Sequence, residues 1–243
     1  MTADATSSLS PYRLTPELRR SVCIHEAGHA VVAALGGWNC REMAIAPEGA
    51  TDMTYTDPLN VRHTGQWGCC YFDPLLPELP PLPVLHPDVQ TGLYEPRDID
   101  VARGLLGQYL RLVNSAFQVK YYRDLRLWVC TTMAGPLADD AYAGRHTDEH
   151  PAVLNTYADR WAEFSQADAY CGLLPLQQRR EAKHAVWLTA AALEDYWPAV
   201  MTLAEVLEKA GHLSEEAVLP YLPPPLKNWP PPPPTRSPSP SEL

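Results

Sequence analysis

The sequence predicts a mainly α-helical domain with a small β-sheet, an α+β fold, and three observations carry that expectation. Apolar residues recur at helical spacing near the N-terminus and again through most of the chain after residue 98. Only two short runs, residues 41–47 (REMAIAP) and 65–72 (GQWGCCYF), read as strands. The prolines, 26 against 13 glycines, gather in two stretches and exclude regular structure there. With 46% hydrophobic residues in 243, the chain can bury one good core with room for a smaller appended lobe.

Residues 1–14 are short and polar, and are expected to form a flexible N-terminus. The first helix has a clear start, with Thr15 as N-cap, Pro16 at the first helical position and Glu17 in the first turn; Gly36-Gly37 stop it. Leu18, Val22, His25, His29 and Val32 advance by four, three, four and three residues, so two histidines share a stripe that is otherwise apolar. Ile24, Val31 and Leu35 widen that stripe, which is the pattern of a buried helix. The two strands follow, joined by a loop rich in Thr, Asp and Gly. Residues 73–97 hold seven prolines, from Pro74 to Pro96, and read as an exposed insertion. Further helices are expected over 98–112, 122–142, 152–170, 175–193 and 198–211, the second holding the small-residue patch Met133-Ala134-Gly135 before Pro136. Ser214 then caps a short helix with Glu215 and Glu216 in its first turn. From Pro223 the composition becomes PPPLKNWPPPPPTRSPSPSEL, so residues 223–243 are expected to be a disordered proline-rich tail.

A net charge of -10 argues against nucleic acid or an anionic membrane as the main partner. No apolar run approaches the roughly 18 residues that span a bilayer, and MTADATSSLSPYRL lacks the basic and then apolar pattern of a secretory signal. A cytoplasmic location is the resulting expectation. Cys23, Cys40, Cys69, Cys70, Cys130 and Cys171 form no C-x-x-C pair and read as reduced, mostly buried thiols.

The chemistry lies in His25-Glu26-Ala27-Gly28-His29. A hydrolytic zinc site needs two neutral imidazoles on one helical face and a carboxylate beside them that can reach the water. H-E-x-x-H places His25 and His29 one turn apart, with Glu26 about 100° round the axis as general base. Three fixed positions of this kind match by chance about once in a hundred chains of this length. Unpartnered, such polar groups on a buried helix would also cost several kcal/mol.

The run VCIHEAGHAVVAALGG resembles the signature of the FtsH-type zinc metallopeptidases, the proteolytic half of the ATP-dependent membrane proteases. REMAIAPEG with GQWGCCYF is similar to that family's short strand pair, and MAGPLADDAYAG to its AGRAAEE-type helix. The stretch WLTAAALEDYWPAVMTLAEVLEKAGHLSEEAVLPYL resembles its C-terminal helices. The likeness covers residues 15–72 and 122–222. It implies a zincin-like helical metallopeptidase domain over 15–222, interrupted by a proline-rich insertion at about 73–121 that departs from the family and could shape access to the cleft.

In that family the third ligand is an aspartate at a helix start, followed four residues on by alanine. Asp148 precedes Ala152 by that interval, so the resemblance implies zinc held by His25, His29 and Asp148, with His146, Glu149, His150 and Asp168 as rival ligands. The implied reaction is hydrolysis of peptide bonds by a metal-activated water with Glu26 as base. The substrate would be an unfolded polypeptide or peptide, paired as a strand against the sheet edge near REMAIAP. The family's ATPase domain and membrane spans are absent from this chain, so any engine would be a separate ATPase or adaptor protein. Two other readings stay open: a non-catalytic regulatory or interaction module derived from such a peptidase, and a zinc hydrolase of small amides.

Overall fold

The computed structural model describes residues 13–51, 53–56, 62–73, 96–144 and 161–231. The fold is mainly helical with a small antiparallel sheet. No helix among these residues is long and apolar enough to cross a membrane.

The first helix, α1 (Pro16–Leu35), forms where the sequence places it. Thr15 Oγ1 accepts the Leu18 N–H at 3.2 Å, and Pro16 occupies the first turn, where its missing N–H costs nothing. At the other end Gly37 takes φ +83, a left-handed conformation that suits glycine. That turn lets Trp38 N–H reach the Ala33 carbonyl at 3.0 Å and Gly37 N–H reach Ala34 at 2.8 Å, a double closure of the helix end. The helix is buried from Cys23 onward save for the half-buried His25.

Strand β1 (Asn39–Ile45) leaves the helix and pairs antiparallel with β4 (Gly68–Asp73). On its other side it pairs with β5 (His212–Ser214), giving the order β4-β1-β5. The strand holding REMAIAP is thus central, and the edge role expected of it is corrected: both its flanks are taken, and among the described residues the outer strands are β4 and β5. Between β1 and β4 lies a separate pair, β2 (Met53–Thr56) and β3 (Arg62–Gln66), in the stretch the sequence reads as loop. The one strand expected over 65–72 is in fact the end of β3 and β4 up to Phe72, broken at Trp67.

Residues 74–95 of the expected insertion lie outside the described residues; its remainder forms α2 (Pro96–Leu110) and the start of α3 (Ser115–Tyr142). Helix α3 starts seven residues before the expected 122 because Asn114 caps it, its side chain accepting the Phe117 N–H at 2.9 Å. Then follow α4 (Trp161–Leu173), α5 (Leu176–Asp195), α6 (Trp197–Ala210), and α7 (Glu215–Val218) behind its Ser214 cap.

Helix α1 packs closely on α3. A Cβ at Gly28 would stand 2.7 Å from Ala138 Cβ and 2.8 Å from the Ala134 carbonyl oxygen, so Gly28 is what lets these backbones approach. Around α1 the main core gathers residues of β1, α3 and α6, including Ile24, Val31, Met43, Leu203 and Leu207. A second cluster joins α2, α3 and α4 through Leu106, Tyr121, Leu125 and Leu173. The insertion therefore contributes a packed helix as well as loop.

Packed residues lie beyond the expected limits at both ends. Leu14 is buried and exchanges backbone hydrogen bonds with Ala50 and Gly49, each 2.9 Å. The segment 223–231 is tied down at two points: Leu226 N–H donates to the Leu35 carbonyl at 2.9 Å, and Trp229 is buried against Leu35, Trp38, Leu127 and Ala192. Arg123 donates to the carbonyls of Gly36 and Trp229, at 2.9 and 3.0 Å, tying this segment to the end of α1. Leu14 and Trp229 thus pack with the residues of 15–222.

Candidate functional site

The site is built where α1 crosses α3 and α4. His25 and His29, one turn apart on α1, bring their Nε2 atoms to 3.1 Å from each other. Glu163, in the first turn of α4, places Oε1 3.1 Å from both. The described residues contain this one group of three side chains able to hold a metal.

Each ring is oriented from behind. His25 Nδ1 lies 2.8 Å from Asp139 Oδ2, and His29 Nδ1 lies 2.6 Å from the Thr131 carbonyl, which can only accept. Asp139 is steadied in turn by the Ser21 hydroxyl at 3.3 Å. Both acceptors sit on α3 in or near the turn where Pro136, lacking an N–H, interrupts the helical ladder. A proton held on Nδ1 leaves Nε2 as a bare lone pair in the neutral ring. Two such lone pairs and a carboxylate oxygen then converge on one point, an arrangement that repels itself unless a proton or a metal cation lies among them.

The donor set suits zinc. Ligand atoms held about 2.0–2.2 Å from a tetrahedral ion are separated by about 3.3 Å, close to the 3.1 Å triangle seen here. Room for an ion comes from Gly135 on α3, where a Cβ would stand 2.5 Å from the Nε2 atoms of both histidines. Any larger residue would fill the place where the three ligands point.

The charges are strongly coupled. Burial opposes protonation of His25, but the Glu163 charge and the Asp139 hydrogen bond outweigh it and hold the ring well above the usual histidine range. His29 is raised in the same way, against burial, chiefly by its hydrogen bond to Glu163. Burial pushes Glu163 up, yet the two rings prevail and hold its carboxyl well below the usual carboxylate range. Glu26 differs: it is buried, and burial pushes its carboxyl up against the opposing pull of His25 and His29.

Glu26, His29 and Glu163 open onto a cleft of about 370 Å³. Strand β4 from Gly68 to Phe72 forms one wall, Trp128, Thr131 and Thr132 of α3 another, and Tyr55 and Gln66 of the β2–β3 pair also line it. Among the described residues β4 pairs with β1 alone. Gly68 packs against the general-base candidate so tightly that a Cβ would be 2.7 Å from Glu26 Oε1.

Of the residues singled out in the sequence, His25, Glu26 and His29 are brought together. Asp148, the expected third ligand, and its rivals His146, Glu149 and His150 lie outside the described residues. Asp168 is on α4 but exposed, and is not part of the cluster. Sequence reasoning passed over Glu163 and Asp139. Asp139 lies inside the MAGPLADDAYAG segment that resembles the family's helix, and so carried a signal. Glu163 carried only the weak one of an acidic residue near a helix start. Searched against models of known protein families the chain matches none, and no curated protein matches it either.

Proposed function

We propose that this protein is a zinc-dependent peptidase with a zincin-like site of the FtsH type, in which Glu163 supplies the third ligand. The observation that carries this reading is the convergence of His25 Nε2, His29 Nε2 and Glu163 Oε1 at 3.1 Å from one another, with both Nδ1 atoms engaged behind them and the buried Glu26 alongside.

A bound Zn²⁺ would supply a Lewis acid that draws the pKa of a water toward about 7 and polarises a carbonyl oxygen. The protein does the rest. Asp139 and the Thr131 carbonyl hold the two imidazoles in the tautomer that presents Nε2. Glu26 takes the proton of the attacking water and returns it to the departing amine. Its upward shift, caused by burial, brings it closer to the neutral pH at which a general base must also release its proton. The edge of β4 away from β1, against which no described strand pairs, supports an extended polypeptide as substrate, since backbone N–H and C=O groups there can add a strand beside the reacting groups. Phe72 and Trp128 give the same cleft apolar surface that limits water around the bond being cut.

The test is metal content with cleavage. The purified full chain should hold about one zinc and cut an unfolded casein-like substrate, and Glu26→Gln should keep the zinc and lose the cleavage. A protein that binds no zinc at micromolar free metal would overturn the reading.

A further inference from the structure

Two thiols sit side by side in the wall of the cleft. Cys40 of β1 and Cys70 of β4 hold their sulfur atoms 3.5 Å apart across the paired strands. The register between these strands shifts at Cys40–Glu42, where an extra residue gives the pair local slack. Cys70 lines the cleft, whereas Cys40 is 2% exposed and lies behind it. Two positions before Cys70 in the same strand is Gly68, the residue in close contact with Glu26.

We propose that Cys40 and Cys70 are a redox-sensitive pair whose oxidation to a disulfide displaces β4 and switches off the site; the loss of activity rests on the peptidase reading above. A disulfide brings its sulfurs to about 2.05 Å, so the 3.5 Å separation must close, and because Cys40 and Cys70 are offset in register, with Cys40 opposite Phe72 and Cys70 opposite Met43, the closure pulls on β4. That motion acts on the strand that both contacts Glu26 and offers its edge to substrate.

A hydroperoxide is the oxidant that fits, because it is small enough to enter the cleft, where Cys70 and its neighbour Cys69 both line the wall and Cys70 alone has a second sulfur, that of Cys40, 3.5 Å behind it. Cys70 sulfur attacks the peroxide, the O–O bond breaks, and a sulfenic acid forms with release of water or an alcohol. Cys40 sulfur then attacks Cys70 sulfur, the S–O bond breaks, and the thiol proton leaves with the hydroxyl as water. In total the two thiols lose two electrons and two protons, and the peroxide is reduced by the same two electrons. Burial pushes the Cys70 thiol well above its ordinary range, which keeps the thiolate scarce and makes its oxidation slow.

The experiment treats the purified full chain with hydrogen peroxide, traps free thiols by alkylation, and maps linked peptides by mass spectrometry beside a cleavage assay. A Cys40–Cys70 link should form, cleavage should fall on the order of 10- to 100-fold, and a thiol reductant should restore it. Cys40→Ala should keep its cleavage through the same treatment. Absence of the link in the treated wild type, or a link formed with cleavage unchanged, overturns the proposal, and the wild-type map stands even if the variant folds poorly. A reduced protein that cleaves nothing would overturn the peptidase reading, while the peptide map would still decide for or against the pair.

Discussion

Gly135 faces His25 across a gap so narrow that a Cβ on the glycine would stand 2.5 Å from the histidine Nε2. The same Cβ would be 2.5 Å from His29 Nε2, so one methyl group would block the point on which both rings converge. Helix interiors favour alanine over glycine by roughly 1 kcal/mol, and a glycine kept in α3 at this spot is explained by the space it leaves. Gly135→Ala should therefore hold the fold by circular dichroism while losing zinc. Zinc content equal to wild type would show that the ion does not sit between the two rings and α3.

The third ligand can be decided by a pair of substitutions. Glu163 Oε1 is equidistant from the two Nε2 atoms, whereas the family resemblance implies Asp148. Removing a true ligand should weaken zinc binding by at least the 10- to 100-fold that loss of a mere supporting partner costs. Glu163→Gln should thus lower zinc affinity by about 100-fold or more in a competition titration with a chromophoric chelator, and Asp148→Asn should leave it near wild type. The reverse pattern would return the ligand role to Asp148 and leave Glu163 as a neighbouring charge.

How far the sequence reaches depends on whether a feature is local. Helix α1 was legible because everything that starts, faces and stops it lies within its own residues, from the Thr15 cap to the Gly36-Gly37 closure. His25, Glu26 and His29 came with it, since a helical repeat alone sets their relation. Strand β5 was hidden because three residues carry too little pattern, although it is this strand that makes β1 central. Glu163 was hidden for another reason: it meets His29 across 134 residues of chain, a relation set by how α1, α3 and α4 pack. Trp229 shows the limit of composition, because one buried aromatic can anchor a run of prolines that reads as tail.

That anchor makes a stability prediction. Trp229 fills a cluster with Trp38, Leu127 and Ala192, and Arg123 bridges the carbonyls of Trp229 and Gly36. Truncating a buried tryptophan to alanine costs about 3–5 kcal/mol. Trp229→Ala should lower the stability toward urea unfolding by about 3 kcal/mol, and a chain ending at 222 should lose at least as much. Removing only residues 232–243 leaves every one of these contacts in place. Equal urea midpoints for wild type and Trp229→Ala would mean the segment adds nothing to the folded state.

The buried thiols predict how stability responds to alkali. Burial pushes Cys130 from its ordinary 9.0 to about 12, and Cys23 likewise to about 12, both on helices in the main core. The folded state therefore keeps these protons at pH values where the unfolded chain has released them. Stability is full below about pH 9 and declines as pH rises toward 12, because between those values the unfolded state binds fewer protons. A single fully buried thiol such as Cys130 takes away at most about 1.4 kcal/mol per pH unit in that window. Urea midpoints should accordingly be level from pH 7 to 8 and fall between pH 9 and 11. Cys130→Ala, which has nothing to ionise at that site, should show a shallower fall than wild type. If the two proteins decline in parallel, Cys130 is not held in its protonated form by the core, and the alkaline loss must come from other groups.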